Sequence, residues 1–295
     1  MRIKKSKGDR IGDFFIYTIC ILFMIVCIYP FYYVIIYSIS DPAQALKGIF
    51  LLPRGFSMET YRQLLRTNDI GSAYMVSIAR TFFGTLLTIA CSSFFAYLVT
   101  NQKMYFRKVI YRFVIITMYI NAGLIPWYMV MKAYHLQNNF LLYILPGAVN
   151  AYYIVLIKTY MESLPKELEE SAKIDGAGMF RIYGQIIFPL CKPIIATIGV
   201  FSVVGQWNQW TDNYFLVTSA KLQTLQMVLY NYLNQANRFT NMSGNSADAA
   251  AIAATITPTS IKMCITVLVV LPIMCVYPFL QRYFVKGIMM GAVKG

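Results

Sequence analysis

Apolar residues run almost unbroken through six stretches of the chain, at 14–39, 73–100, 109–131, 140–159, 193–217 and 261–283. Each is close to the roughly 20 residues that a helix needs to cross a bilayer, and none shows the alternation of a half-buried strand. The pattern predicts an all-α, polytopic membrane protein, with six transmembrane helices in a single domain over residues 1–295. Pro146 interrupts the fourth stretch, and the polar residues from Gln206 to Asn213 interrupt the fifth.

The polar segments between these stretches have helical periods of their own. At 57–67, SMETYRQLLRT offers Ser57 as an N-cap and Glu59 in the first turn. At 222–235, LQTLQMVLYNYLNQ is helical in period and leads into a small polar run, TNMSGNSADAAA. The remaining segment, 160–190, holds five of the chain's 12 acidic residues: Glu162, Glu167, Glu169, Glu170 and Asp175.

Composition agrees with a membrane location. Hydrophobic residues make up 58% of the 295 and charged residues only 13%, about half the usual share of a soluble protein, ~25%. The net charge of +14 sits at the ends of apolar stretches, which points to membrane topology and away from nucleic acid. Seventeen Lys and Arg lie in the amino tail (Arg2, Lys4, Lys5, Lys7, Arg10), the second turn (Lys103, Arg107, Lys108, Arg112), the 158–192 segment and the carboxyl tail. Eight lie in the alternate loops. Because basic residues mark the cytoplasmic side, both termini and the 160–190 segment are expected in the cytoplasm. The apolar part of the first stretch, about 26 residues, exceeds the 7–15 of a signal-peptide core, so it reads as a retained span.

The missing chemistry narrows the function. The chain has no GxxxxGK[ST], no HExxH and no GxSxG, and it has one histidine, His135, in a polar turn. The six cysteines include no CxxC pair, which leaves neither a metal site nor a redox pair. No catalytic residue emerges, and an enzyme is not expected. Polar residues inside the apolar stretches carry more information, because they are costly in lipid and face protein or water. Arg80 and the run GQWNQWTDN are of this kind, as is NAGLIP at 121–126, where glycine and proline permit a bend. Trp207, Trp210 and Tyr119 supply apolar faces, while Gln206, Asn208 and Asn121 supply paired donors and acceptors. Together they form a candidate translocation path for a sugar, which presents a CH-rich face and a rim of hydroxyls. Interhelical hydrogen bonding explains the same residues equally well.

The 160–190 segment reads as helix, turn and helix. Ser163 is a candidate N-cap, Pro165 fits a first turn, and Glu162–Lys166 and Glu169–Lys173 have the spacing of helical ion pairs. Leu164, Leu168 and Ala172 share a face, and Gly176 is placed to end the helix. Met179, Ile182, Tyr183 and Ile186 then repeat at helical spacing up to Pro189.

With Glu170-Ser171-Ala172, Gly176, Ile186 and Pro189 in register, this segment resembles the EAA loop of ABC-importer permeases. The form that includes Ile174–Ala177 is similar to carbohydrate-uptake permeases of the maltose type, closest to those serving larger or complex oligosaccharides. Ser171 stands for an alanine and Phe188 for a leucine, both mild changes. GLIPWYMVMKAYHL, GQWN and the ending QRYFVKGIMMGAVKG extend the resemblance over nearly the whole chain.

The resemblance implies a type I importer permease in the bacterial cytoplasmic membrane. It implies a sister permease, two cytosolic ATPase subunits that bind ATP and magnesium, and an extracytoplasmic sugar-binding protein; this chain itself would hold no cofactor. Glu170, Ser171, Ala172, Asp175, Gly176 and Ala177 are the implied ATPase-coupling residues. Two alternatives remain open, an ion-coupled secondary sugar transporter and an ABC permease for a non-sugar solute.

Overall fold

The computed structural model describes residues 7–67, 70–242 and 258–292, and side chains over most of that range. The basic residues Arg2, Lys4, Lys5 and Lys294, and the polar run from residue 243 onward, lie outside it. Among the described residues the chain is helical throughout, apart from one isolated antiparallel bridge between Ser40 and Phe56. Its contacts divide it into two compact units, 1–68 with 231–270, and 69–230 with 271–295.

The first unit opens with α1, Lys7–Ser38, whose outer residues are almost all apolar and exposed. An isolated water-facing helix would not carry such a surface, so it belongs in lipid or against a partner. The short helices α2, Pro42–Ala45, and α3, Glu59–Thr67, follow. Asp41 caps α2 by accepting from the amides of Ala43 and Gln44, both at 3.1 Å. The Ser57 hydroxyl accepts from the Glu59 amide at 3.3 Å, in line with its expected capping role. The Tyr61 hydroxyl donates to Ser38 at 2.8 Å. Burial pushes its pKa up to about 12, so it remains a donor at every physiological pH.

The second unit is built around α4, Ile70–Thr100, a continuous helix of 31 residues. Its small and polar positions Ser77, Arg80, Gly84, Thr85, Thr88, Ser92, Ser93 and Ala96 are buried, and the bulkier Phe82, Phe83 and Leu86 are exposed. This reverses the soluble pattern: the inner face is polar and close-packed, and the outer face is greasy. Helices α7, Ala151–Glu162, and α11, Lys192–Asn208, lie against that inner face.

Three of the expected spans are broken. The third consists of α5, Arg107–Tyr119, and α6, Leu124–Ala133. Between them Gly123 has φ 83°, which favours glycine, and its amide is held by Asn121 Oδ1 at 2.9 Å. The fourth begins with the 3-10 turn Phe140–Tyr143 and resumes as α7 only after Pro146 and Gly147. The freed backbone there is bonded by α4, with Thr88 donating to the Gly147 carbonyl at 2.8 Å and the Asn150 amide donating to Ser92 at 3.2 Å. The fifth splits into α11 and α12, Thr211–Leu216.

Of the described helices, three are long and apolar enough to cross a membrane: 11–38, 70–100 and 259–276. A fourth crossing results if α11 is joined to the 179–190 segment before it, from which it is bent by 80°. Helix α13, Leu225–Met242, and the long α14, Pro258–Ala292, complete the chain. Between α7 and α11 lie α8, Glu167–Ile174, α9, Met179–Ile182, a π turn, Tyr183–Ile187, and the single turn α10, Phe188–Leu190.

Candidate functional site

The 160–190 segment forms a compact knob. Ser163 does not start its helix: the Ser163 hydroxyl donates to the Tyr160 carbonyl at 2.7 Å and ends α7 instead. Lys166 occupies the N-cap position of α8, and Glu167, Glu169 and Glu170 fill the first turn, where the helix dipole favours negative charge. Glu169 pairs with Lys173 at 2.8 Å, as the spacing implied. Glu162 turns back to Lys158 at 2.7 Å, in place of the expected Lys166.

Gly176, at φ 77°, closes α8 in a Schellman motif. The Ala177 amide reaches the Ala172 carbonyl at 3.0 Å, and the Gly176 amide reaches that of Lys173 at 3.1 Å. Ala172 is buried in the chain's own core with Tyr97, Ile157, Met161 and Ile182, and Ala177 packs beside it. Glu170, Ser171, Ile174 and Asp175 are left exposed, Ile174 at 87%. The knob thus offers a surface of mixed charge on which Ile174 and Phe180 are the most exposed apolar residues.

A second feature lies deeper in the same unit. A cavity of about 380 Å³ is bounded by Arg80, Thr88, Trp127, Tyr143, Gln206 and Asp212, among others. The Arg80 guanidinium donates to both oxygens of Asp212, at 3.0 and 2.5 Å, and to the Gln209 carbonyl at 3.1 Å. Its Nε donates to Gln206 Oε1 at 3.1 Å, and its charge lies 4.7 Å from the centre of the Tyr143 ring. Four of the five guanidinium hydrogens are donated within this set, and the carboxylate offsets the charge. Asn213 extends the network, donating to the Tyr143 hydroxyl and to the Leu222 carbonyl at 3.0 Å.

The side chain of Gln206 is threaded between two glycines. A methyl group at Gly84 would come within 2.6 Å of its Nε2, and one at Gly147 within 3.2 Å. No side chain larger than hydrogen fits at Gly84 unless the amide moves. Gln206 lines the cavity together with Trp127, Asn150 and Tyr153.

Of the seven expected path residues, the structure brings only Arg80 and Gln206 to this cavity. Trp207 points into a separate apolar groove of about 510 Å³, with Tyr74, Phe82, Leu86 and Pro272. Asn208 is exposed, and Trp210 stacks on Tyr230 with ring centres 4.2 Å apart. Tyr119 and Asn121 lie exposed at the α5–α6 break. The sequence pattern does not single out Tyr143, Gly84 or Gly147, and it marks Gln209 only as part of the polar run GQWNQWTDN. The two glycines left a trace only as small residues within apolar stretches, and Tyr143 was one of 23 tyrosines. Among the described residues no cluster of His, Cys, Asp or Glu could hold a metal ion.

Comparison with known proteins gives a consistent picture. Residues 84–290 match the family described as binding-protein-dependent transport system inner membrane component. The polygalacturonan/rhamnogalacturonan transport system permease protein YtcP of Bacillus subtilis (strain 168) is 32% identical over 290 residues, 97% of this chain and 99% of that one. The melibiose/raffinose/stachyose import permease protein MelC of the same organism is 28% identical, with each chain covered in full. Among solved structures, a chain of a bacterial ABC transporter involved in the import of the acidic polysaccharide alginate superposes with a TM-score of 0.82 at 28% identity. That match covers 96% of this chain and 100% of the other.

Proposed function

The chain belongs to the binding-protein-dependent transport system inner membrane components, sugar-importer permeases of the bacterial membrane with the type I ABC fold, and from that premise we propose that it forms half of an oligosaccharide pathway. The other half is a sister permease. Two cytosolic ATPase subunits, which carry ATP and magnesium, engage the 160–190 knob, and an extracytoplasmic sugar-binding protein delivers cargo to the outward loops. Six crossings are intended, each broken stretch counting as one, with both termini in the cytoplasm.

The observation that carries this reading is the knob. The buried Ala172 anchors it to the core and Gly176 shapes its turn, while Glu170, Ser171, Ile174 and Asp175 stand clear for a partner. In this reading Glu170 meets donors on the ATPase, Ser171 permits close approach, and Asp175, Gly176 and Ala177 hold the turn. Ala172 serves by fixing the knob to the chain. The cavity around Gln206 is the part of the pathway that this subunit contributes. Its polar groups pair with hydroxyls, and Trp127 and Tyr153 offer ring faces.

The test is Glu170→Ala in the assembled complex. Both sugar uptake and co-purification of the ATPase are expected to fall. Uptake and assembly equal to those of the unaltered complex would refute the coupling role. A ligand screen of the cognate binding protein that returned peptides or ions would overturn the sugar cargo alone.

A further inference from the structure

The junction between the 160–190 knob and α4 has a construction that neither element needs for its own fold. Tyr183 begins the π turn, in which the Phe188 amide bonds to the Tyr183 carbonyl five residues back. Such turns make up well under 1% of residues and are enriched at functional positions. A local cause is visible: Pro189 has no amide to give to Gln185, so the ladder is already short of one bond where it widens.

The ring of Tyr183 lies 5.3 Å from those of Phe94 and Tyr97 and 5.8 Å from that of Phe188. Phe180, one turn earlier, stacks on Phe94 at 5.5 Å and 10°. The Tyr183 hydroxyl lies 2.7 Å from Ser93 Oγ, in α4. Because the Ser93 proton is already committed to the Ile89 carbonyl at 2.6 Å, Tyr183 is the donor. On the other side of the knob, the Tyr97 hydroxyl faces the Glu169 carboxylate of α8. Three positions within about one turn of α4, Ser93, Phe94 and Tyr97, therefore hold the knob from both ends.

The same helix continues without proline to Arg80, 13 residues or ~20 Å away. There it carries the guanidinium that clasps Asp212 and Gln206 at the cavity. The other helices facing this core, α5, α7 and α11, are each interrupted or bent. We infer that Tyr183 and Ser93 are positioning residues of the transport cycle: they lock the knob to α4, so that ATPase-driven movement of the knob displaces α4 as a rod and opens or closes the cavity at Arg80. This inference rests on the proposed ATPase coupling.

The experiment uses the complete importer in proteoliposomes, with its binding protein and sugar, and measures uptake and ATP hydrolysis in the same vesicles. Tyr183→Phe and Ser93→Ala remove the hydrogen bond and keep the aromatic contacts. Sugar accumulated per ATP hydrolysed is expected to fall by roughly fivefold, equivalent to the ~1 kcal/mol of one such bond. Ser93→Thr, which keeps the hydroxyl, is expected to restore the ratio. A ratio unchanged in both Tyr183→Phe and Ser93→Ala would overturn the lock while leaving the permease reading intact. Failure of the unaltered chain to bring down an ATPase would overturn that reading itself.

Discussion

Arg80 and Asp212 lie 132 positions apart in the chain, yet the two side chains meet in a bidentate pair and both are less than a tenth exposed. The pair joins α4 to the start of α12. Removing one partner leaves an uncompensated buried charge, so Arg80→Met is expected to cost ~3–5 kcal/mol of stability. Arg80→Met combined with Asp212→Leu removes both charges and should recover most of it. Thermal unfolding of the detergent-solubilised chain separates these outcomes.

The same pair bears on cargo charge. With Asp212 already accepting from it, Arg80 is not a free receptor for a sugar carboxylate. Uptake of a neutral oligosaccharide is therefore expected to respond to Arg80→Lys as strongly as uptake of its uronate counterpart. Competition between the two cargoes in vesicles measures this. A selective loss of the acidic one would show that the guanidinium reads cargo directly.

Gly84→Ala is expected to reproduce Gln206→Ala. The added methyl would come within 2.6 Å of the Gln206 amide, and the atom it meets is the end of a flexible side chain. The amide must leave its slot and release Arg80 Nε, while the helix backbone is undisturbed. Both variants should assemble normally and raise the sugar concentration for half-maximal uptake by a similar factor. If Gly84→Ala alone prevented assembly, the glycine would be serving helix packing and not Gln206.

At the knob, two nearby glycines make opposite forecasts. Gly176 has φ 77°, where a Cβ costs ~1–2 kcal/mol. Gly178 has φ −72° and nothing within 4 Å of an added Cβ. Gly176→Ala should lower ATPase recovery in a pull-down, and Gly178→Ala should leave it as it is. Equal recovery from the two would mean that the turn's shape is irrelevant to docking.

These contrasts show where the sequence was readable. The all-helical class, the bend at Asn121–Gly123, the capping role of Ser57 and the terminating role of Gly176 all followed from local rules, since each depends on residues within a few positions. Ser163, expected as an N-cap, ends α7 instead, because a serine can close one helix as readily as open the next. The cavity was half legible. Arg80 stood out as a charge in an apolar stretch, but its partners come from positions 143, 206, 209 and 212. No periodicity within one helix reports an assembly of that kind. Span continuity is hard to read for a related reason: breaks at Gly123 and Pro146–Gly147 are tolerated because α4 and neighbouring side chains satisfy the backbone that they free.

The last expectation concerns Gln206 and Trp207, adjacent in sequence and both placed on the expected path. Neighbours on a helix project about 100° apart, and the structure sends them to different cavities. Gln206 borders the polar one, and Trp207 the apolar groove, edge-on to Tyr74 at 6.2 Å. On these contacts Trp207, buried beside Phe82, Leu86 and Pro272, is expected to serve packing. Trp207→Phe should therefore keep the apolar contact and leave both the rate and the cargo range of uptake unaltered. Gln206→Leu, similar in size but without the amide, should reduce uptake and broaden the range of sugars accepted. Parallel uptake assays over a panel of oligosaccharides decide the matter. A shift in cargo range with Trp207→Phe would place the groove, and not the polar cavity, on the route of the sugar.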